Sequence, residues 1–262
     1  MNVLVIGDIV GKPGRQAISH ALPELIAQHL IDLCIANGEN AAGGFGITPE
    51  ITQQFLEMNI HVLTTGNHIW DRKEIEGFIN REPRLLRPAN YPEGVPGNGT
   101  VIVETPVGHS VGIINLSGRV FMQNLDCPFR VAQKIINEFK AKQVKVIIVD
   151  MHAEATSEKI ALGWYLDGQV SAVLGTHTHV QTADEKILPN GTAYITDIGM
   201  TGAHDSVIGL KKDIVLKRFM LQMPFHYDVA KKDIQLNGVI VQIDETTGRA
   251  TNIRRLNYNL GS

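Results

Sequence analysis

The chain has 262 residues, of which 44% are hydrophobic and 19% are charged, and its formal net charge is −3. This composition is typical of an ordinary soluble globular protein, and it excludes a disordered tail and a long basic groove for a polyanion. A small anionic substrate is still compatible with it, because such a substrate needs only local positive charge. A chain of this length is expected to form one domain, residues 1–262.

The cysteine content and the N-terminus bear on the cellular compartment. Cys34 and Cys127 are too few for a disulfide framework, so we predict two reduced thiols. The first residues, MNVLVIGDIVGK, lack the basic start and the cleavage pattern of a signal peptide. No apolar run approaches the roughly 18 residues of a membrane helix. We therefore predict a cytoplasmic protein that does not contact a membrane.

The first third of the chain alternates predicted strands and helices. Three short apolar runs, each followed by a polar loop, predict buried strands over residues 3–6, 33–36 and 62–65. A helix is predicted over residues 13–29, kinked or divided at Pro23. A second helix is predicted to begin after Thr48, a typical N-cap that is followed by a proline at the first helical position.

The remaining two thirds are less regular. Residues 82–100 contain several prolines, which predict turns and extended segments, either as a lid or as a surface crossing. Hairpins are predicted over residues 101–115, with the turn TPVGH, and near the C-terminus, with a turn at residues 246–248. Further strands are predicted at residues 144–149, 170–174 and 193–196. Further helices are predicted at residues 128–140, after a cap at Ser157, and at residues 211–221. The segment DIGMTGAHDSVIG is predicted to be a loop. The alternation predicts mostly parallel strands, with functional groups beyond their carboxyl ends.

Polar residues that can bind a metal follow five of the predicted strands. They are Asp8, Glu39, Asn40, Asn67, His68, His152, His177 and His179. The pair in GTHTH alone fits two solvated loop histidines equally well, so the matching residues at other strand ends decide the interpretation. Nitrogen and oxygen donors without a thiolate favour Mn, Fe or Zn in a catalytic centre. Eight donors suit two ions that share a carboxylate, and the positive charge left over would attract a phosphate ester.

The order of these motifs resembles that of the calcineurin-like metallophosphoesterases. Within that superfamily, NGEN followed by AAGGFG, GNHIWD, GTHTHVQTAD and TDIGMTG resemble the YmdB subfamily of bacterial enzymes, which are similar to cyclic-nucleotide phosphodiesterases. The resemblance covers essentially the whole chain. It implies a four-layer α/β/β/α sandwich with mixed sheets and a metal site at the strand carboxyl ends.

The resemblance also implies a role for each residue of the site. One metal would be bound by Asp8, Glu39, Asn40 and His179, and the other by Glu39, Asn67, His152 and His177. His68 would be the general acid. The chain departs from the superfamily pattern where Val10 replaces the usual first histidine, and Asn40 would take the place of that ligand. His204, in the loop GAHDSVIG, is predicted to contact the substrate.

The function that the resemblance implies is hydrolysis of 2′,3′-cyclic nucleotides, related small phosphodiesters or RNA ends by attack of a metal-bridging hydroxide. The two metals are expected to be Fe or Mn, with Zn as an alternative, and the protein is expected to form a homo-oligomer. A regulatory protein that binds nucleotide or RNA and turns over slowly would keep the same ligands. Nucleotide-binding loops, serine hydrolases and amidohydrolase barrels fit less well, because their motifs or repeats are missing.

Overall fold

The computed structural model describes residues 1–105 and 108–260. Its strands are β1 (Asn2–Ile6), β2 (Asp8–Ile9), β3 (Leu33–Asn37), β4 (Val62–Thr64), β5 (Thr100–Glu104), β6 (Ser110–Ser117), β7 (Val146–His152), β8 (Ala172–Thr176), β9 (Lys186–Ile187), β10 (Ala193–Ile195), β11 (Met200–Ala203), β12 (Ile234–Asp244) and β13 (Arg249–Asn259). Its α-helices are α1 (Gly11–His29), α2 (Pro49–Glu57), α3 (Pro128–Ala141), α4 (Thr156–Leu166) and α5 (Lys212–Leu221). None of the helices in this part of the chain is long and apolar enough to cross a membrane.

The strands form two mixed sheets. The first has the order β2-β11-β12-β1-β3-β4, with β13 paired to β12, and the second has the order β5-β6-β7-β8-β10-β9. Strand β1 runs parallel to β3 and antiparallel to β12, whereas β6, β7 and β8 are parallel to one another. Parallel strands end at the same edge of their sheet, so the polar loops that follow β1, β3 and β4 lie together, as do those after β7 and β8.

Alternation along the strands produces four layers. In β1, Leu4 and Ile6 pack with buried residues of α1, while Val3 and Val5 pack against strands of the second sheet. The other face of the second sheet packs on buried residues of α3 and α4, such as Ile136. A strand buried on both faces presents apolar side chains to each side, which explains its unbroken hydrophobic sequence. The predicted four-layer α/β/β/α sandwich is confirmed.

Several local predictions were wrong. Helix α1 is not divided at Pro23, because the buried Leu22 and Leu25 on either side of it hold the helix against the sheet. Helix α4 follows Ala155 without a side-chain cap, so the cap predicted at Ser157 is absent. The segment predicted as a loop after residue 196 contains β11, which is paired on one side with β2 and on the other with β12. Its small residues gave no apolar alternation that would indicate a strand.

Other local predictions were confirmed. Thr48 caps α2 by accepting a hydrogen bond from the backbone N–H of Ile51 at 3.3 Å. The two hairpins pair as expected, although Pro106 and Val107 of the turn TPVGH lie outside the described residues. Residues 82–99 form turns and isolated bridges rather than a regular element. Leu85 and Leu86 are fully buried within them, so these two side chains anchor the segment to the core.

Candidate metal centre

The predicted site residues meet at one edge of the sandwich, in an open cavity of about 320 Å³. Its floor and rim are lined by polar residues: Glu39, Asn40, His68, Glu154, His177, Thr178 and His179. Apolar residues and one glycine line its walls: Val10, Gly44, Phe45, Ile208 and Leu210. Asp8 and His152 lie beneath the floor and are fully buried. The cavity therefore combines a polar base with apolar sides, as small-molecule sites usually do.

Close backbone approaches place these side chains. Gly66 follows β4, and a Cβ atom added to it would lie 2.1 Å from His152 Cδ2 and 2.4 Å from Glu39 Oε2. A Cβ added to Gly175, near the end of β8, would lie 1.7 Å from the carbonyl oxygen of Thr196. Both positions accept only glycine. These glycines allow the loops to pack directly against the site.

His152 is at the centre of one half of the site. Its Nε2 lies 3.1 Å from Glu39 Oε1, 3.0 Å from Asn67 Oδ1 and 3.0 Å from His177 Nδ1. The last residue of β7 is His152 itself, so its ring is held by the sheet rather than by a loop. Glu39, His152 and His177 each offer an atom within 4.8 Å of the others, an arrangement that could hold a metal ion.

Asp8, Asn40 and His179 form the other half. Asn40 Nδ2 donates to Glu39 Oε1 at 3.1 Å and lies 3.3 Å from His179 Nε2. Asp8 Oδ2 accepts the backbone N–H of His177 at 3.2 Å. Asp8 Oδ1 is buried and has no hydrogen-bond partner within the described residues. An unsatisfied buried carboxylate oxygen is costly, and a cation beside it would remove that cost.

Hydrogen bonds on the outer side fix the tautomer of each histidine. His179 Nδ1 faces the carbonyl oxygen of Ile208 at 2.9 Å, which can only accept, so Nδ1 donates and Nε2 keeps its lone pair. His177 Nε2 lies 3.1 Å from Glu154 Oε2, which leaves the lone pair on Nδ1. Metal-binding histidines commonly use one ring nitrogen in this way to orient the other.

The hydrogen-bond partners of His152 also determine which of its ring nitrogens carries the proton in the neutral ring. The hydroxyl of Thr176 donates to Asp150 Oδ1 at 2.7 Å and therefore accepts from His152 Nδ1 at 3.0 Å. In the neutral ring, the lone pair of His152 Nε2 then faces Asn67 Oδ1 and His177 Nδ1; in the charged ring, Nε2–H faces Glu39 Oε1. Three ring nitrogens, two carboxylates and the amide oxygen of Asn67 thus surround one space with atoms that accept when the rings are neutral, while Asn40 presents its Nδ2 to Glu39 and His179. This donor set fits metal ions, and it contains no thiolate.

The charges of the site are strongly coupled. Burial raises the pKa of the Asp8 carboxyl well above its usual range. Burial alone would also raise the pKa of Glu39, but the charge and the hydrogen bond of His152 bring it down to about 2. For His152 itself, burial opposes the charged ring, while Glu39, Asp8 and Asp150 raise the pKa to about 9. The carboxylates therefore create a negative potential that favours a cation.

His68 lies at the rim of the cavity rather than on its floor. Its backbone N–H donates to Glu39 Oε2 at 3.3 Å, and its ring packs edge-on against Phe45 with centroids 5.1 Å apart. Its Nδ1 lies 2.8 Å from Asp71 Oδ2, so Nδ1–H donates to that carboxylate. The side chain is 29% exposed. Its Nε2 is therefore oriented and accessible to a ligand in the cavity.

His204 lies beside this cavity and does not line it. Its Nε2 is 3.3 Å from the carbonyl oxygen of Met200, and it borders a separate cavity of about 360 Å³. His179 and Ile208 border both cavities. The substrate contact assigned to His204 remains a prediction.

Sequence reasoning missed four residues that support the site. Asp150 and Glu154 fix histidine tautomers, and Asp197 accepts hydrogen bonds from the backbone N–H of Thr178 at 3.1 Å and from its hydroxyl at 2.6 Å. Lys159 pairs with Asp197. Asp150 precedes His152 by two residues in the same strand end, and Asp197 lies in the TDIGMTG motif, so both left a signal. The sequence gives no indication of the role of Lys159, because a lysine in a helix such as α4 is expected to lie on the surface.

The two packed sheets with this polar cluster at their carboxyl ends are those of a metallophosphoesterase-type protein. The chain belongs to the YmdB-like protein family, whose model matches residues 4–256. The family resemblance inferred from the motifs is therefore confirmed.

Individual relatives agree with this assignment. The chain is 48% identical to the 2′,3′-cyclic-nucleotide 2′-phosphodiesterase of Bacillus subtilis (strain 168), over 99% of this chain and 97% of that protein. A crystal structure of a phosphatase from Mycoplasma pneumoniae is 32% identical, with a TM-score of 0.92, over 99% of this chain and 93% of that one. A 5′-nucleotidase precursor from Thermus thermophilus is 16% identical with a TM-score of 0.59, over 99% of this chain and 54% of that one, and it shares the fold alone.

Proposed function

We propose that this protein is a metal-dependent phosphodiesterase that hydrolyses 2′,3′-cyclic nucleotides and related small phosphodiesters at a dinuclear centre. The observation that carries the proposal is the set of three histidine ring nitrogens that face one space together with Asp8 Oδ1, which accepts no hydrogen bond from the described residues. Acceptors gathered in this way need cations between them. The name of the Bacillus subtilis relative supports the substrate class.

Two ligand sets divide the cluster. Asp8, Glu39, Asn40 and His179 would hold one ion, and Glu39, Asn67, His152 and His177 would hold the other. The two oxygens of Glu39 reach different neighbours, since Oε1 lies 3.1 Å from His152 Nε2 and Oε2 accepts from the backbone of His68 at 3.3 Å. Bound ions would supply Lewis-acid stabilisation of the phosphoryl oxygens and a lowered pKa for the attacking water. The nitrogen and oxygen donors favour Fe or Mn, with Zn as the alternative.

The residues around the ions would position the substrate and move a proton. His68 would give the proton on Nε2 to the leaving oxygen, while Asp71 holds Nδ1–H and stabilises the charged ring before transfer. Phe45 packs against the His68 ring and limits its rotation. The apolar walls formed by Val10, Ile208 and Leu210 would accept the sugar and base of a nucleotide.

Elemental analysis combined with a substrate panel tests this function. Purified protein is expected to contain close to two equivalents of transition metal, and to hydrolyse 2′,3′-cyclic AMP and bis(p-nitrophenyl) phosphate faster than phosphomonoesters. Treatment with a chelator should abolish both activities, and added Mn²⁺ should restore them. If the metal-loaded protein binds 2′,3′-cyclic AMP yet cleaves neither diester, it is a nucleotide-binding protein and the enzymatic proposal is wrong.

A further inference from the structure

A third cavity, the basic cavity, adjoins the candidate metal centre and carries positive charge. It has a volume of about 350 Å³, and its cationic lining residues are Lys12, Lys211 and Lys231. The acidic residue in the lining is Asp228, which lies 2.8 Å from Lys211. The side chains of Lys12 and Lys231 make no hydrogen bond and no salt bridge with any residue that the structure describes, although the charge of Lys231 acts on the Asp228 carboxylate. The lining thus carries three ammonium groups against one carboxylate, in a protein whose net charge is −3.

Three chain segments pass directly from one cavity to the other. Val10 lines the metal cavity and Lys12 the basic one. In the same way, Gly44 and Leu210 line the metal cavity, while their neighbours Gly43 and Lys211 line the basic one. Neighbouring Cα atoms are about 3.8 Å apart, so only one or two residues separate the two cavities.

The ridge between the cavities is narrow and fixed. Val229 lies on it, and its side chain is 2.9 Å from the position that a Cβ of Gly44 would occupy. The neighbouring backbone is held by hydrogen bonds from the Lys211 N–H to the carbonyl oxygen of Asp228 at 2.9 Å, and from the Ala230 N–H to that of Gly209 at 2.9 Å. The basic residues therefore keep their place relative to the metal centre.

An aromatic side chain also lines the basic cavity. Tyr227 lines it and is partly exposed, and the guanidinium carbon of Arg218 lies 4.8 Å from the centroid of its ring. Free lysines beside an aromatic ring are the usual elements of a single-strand nucleic-acid site, in which the cations contact phosphates and the ring contacts a base. A mononucleotide bound at the metal centre would leave all of these groups unused.

We infer that the basic cavity binds the nucleotide that precedes a terminal cyclic phosphate, so that the preferred substrate is an RNA 3′ end carrying a 2′,3′-cyclic phosphate. This inference rests on the proposed function and names its substrate class. The terminal nucleotide of the RNA lies at the metal centre. The sugar–phosphate backbone of the preceding nucleotides crosses the Val229 ridge towards Lys12 and Lys231. The site is local, so it does not require a long basic groove.

The test compares 2′,3′-cyclic AMP with a tetranucleotide RNA that ends in a 2′,3′-cyclic phosphate. Wild-type protein is expected to have the higher kcat/KM for the tetranucleotide. In the double variant Lys12→Gln/Lys231→Gln, the ratio of tetranucleotide to mononucleotide kcat/KM should fall about tenfold. Loss of two phosphate contacts should also flatten the log–log salt dependence for the tetranucleotide by about 1.4. The variant Lys134→Gln/Lys142→Gln removes the same charge from exposed positions in α3 and directly after it, and should keep the wild-type ratio.

Binding of a fluorescent tetranucleotide, followed by anisotropy, separates this inference from the proposed function. Equal kcat/KM for both substrates in the wild type, or an unchanged ratio in Lys12→Gln/Lys231→Gln, overturns the inference and leaves the phosphodiesterase intact. If the wild-type protein hydrolyses neither substrate, the proposed phosphodiesterase function is wrong. If tetranucleotide binding then weakens only in Lys12→Gln/Lys231→Gln, the RNA site is still supported. If both double variants bind the tetranucleotide with the wild-type affinity, the RNA site is wrong.

Discussion

The ammonium group of Lys159 lies 2.7 Å from the carboxylate of Asp197, and both side chains are fully buried. Asp197 also accepts the backbone N–H of Thr178 at 3.1 Å and the backbone N–H of Gly199 at 2.8 Å. Thr178 separates His177 and His179, whose φ angles are 94° and 66°. Such left-handed backbone is unfavourable for residues other than glycine, so it persists only where neighbouring contacts hold it. The buried pair supplies those contacts.

Breaking this pair should destabilise the protein. Asp197→Asn leaves the Lys159 ammonium buried without a counter-charge, which typically costs about 3–5 kcal/mol of the free energy of unfolding. Urea denaturation measures that loss. The double variant Lys159→Met/Asp197→Asn should recover part of it, because the unpaired charge is gone. Asp205→Asn breaks the exposed pair with Lys212 and is the control, in which little change is expected. A wild-type urea midpoint for Asp197→Asn would show that the pair does not stabilise the fold.

Replacing Gly66 should damage the metal centre without damaging the core. In Gly66→Ala the new Cβ would lie 2.2 Å from His152 Nε2, so either the loop or the ring must move. A displacement of about 1 Å at a catalytic group can cost about a hundredfold in rate, and we expect a loss of that size. Phosphodiesterase assays and metal analysis measure it.

Gly77 provides the matched control for this substitution. A Cβ at Gly77 has no atom within 4 Å among the described residues, so Gly77→Ala should keep wild-type activity and metal content. If Gly66→Ala is as active as Gly77→Ala, the close approach of the β4 loop is not needed to place His152.

Glu39 is expected to be required for metal binding but not for folding. Glu39→Gln keeps the shape of the side chain and removes the negative charge that both ions would share. Loss of groups that merely orient metal ligands costs about 10–100-fold, so loss of Glu39 should lower activity by at least about a hundredfold. Metal content should fall as well, while circular dichroism stays that of the wild type. The control is Glu50→Gln on the exposed face of α2. Full activity in Glu39→Gln would contradict the ligand assignment.

The histidine pair could be predicted because its signals are local. An apolar strand followed by G-x-H-x-H, and a matching polar loop at four other strand ends, needed only sequence order and the rule that parallel strands end at one edge. The roles of Asp150 and Glu154 could not be predicted, since they depend on which ring nitrogen each neighbour reaches. That information resides in tertiary geometry.

The fold was predictable to the same degree. The four layers were predicted from the family resemblance, whereas the apolar runs alone predicted buried, mostly parallel strands. Strand β11 was not predicted because its sequence, MTGA, has no apolar alternation. The strand is defined by its backbone pairing with β2 on one side and β12 on the other. The burial of Lys159 was missed for a related reason, because its partner Asp197 is 38 residues away in the sequence. Long-range pairing of this kind leaves no periodic signal.

His68 is expected to donate a proton to the leaving oxygen. If its ring protonates the leaving oxygen, His68→Ala should reduce turnover about 10²–10⁴-fold for 2′,3′-cyclic AMP, whose alkoxide leaving group needs a proton. The loss should be much smaller for bis(p-nitrophenyl) phosphate, because nitrophenolate leaves without one. Steady-state kcat values for both substrates give the two ratios, with His20→Ala on the exposed face of α1 as the control. An equal loss on both substrates would mean that His68 positions the phosphate rather than donating a proton.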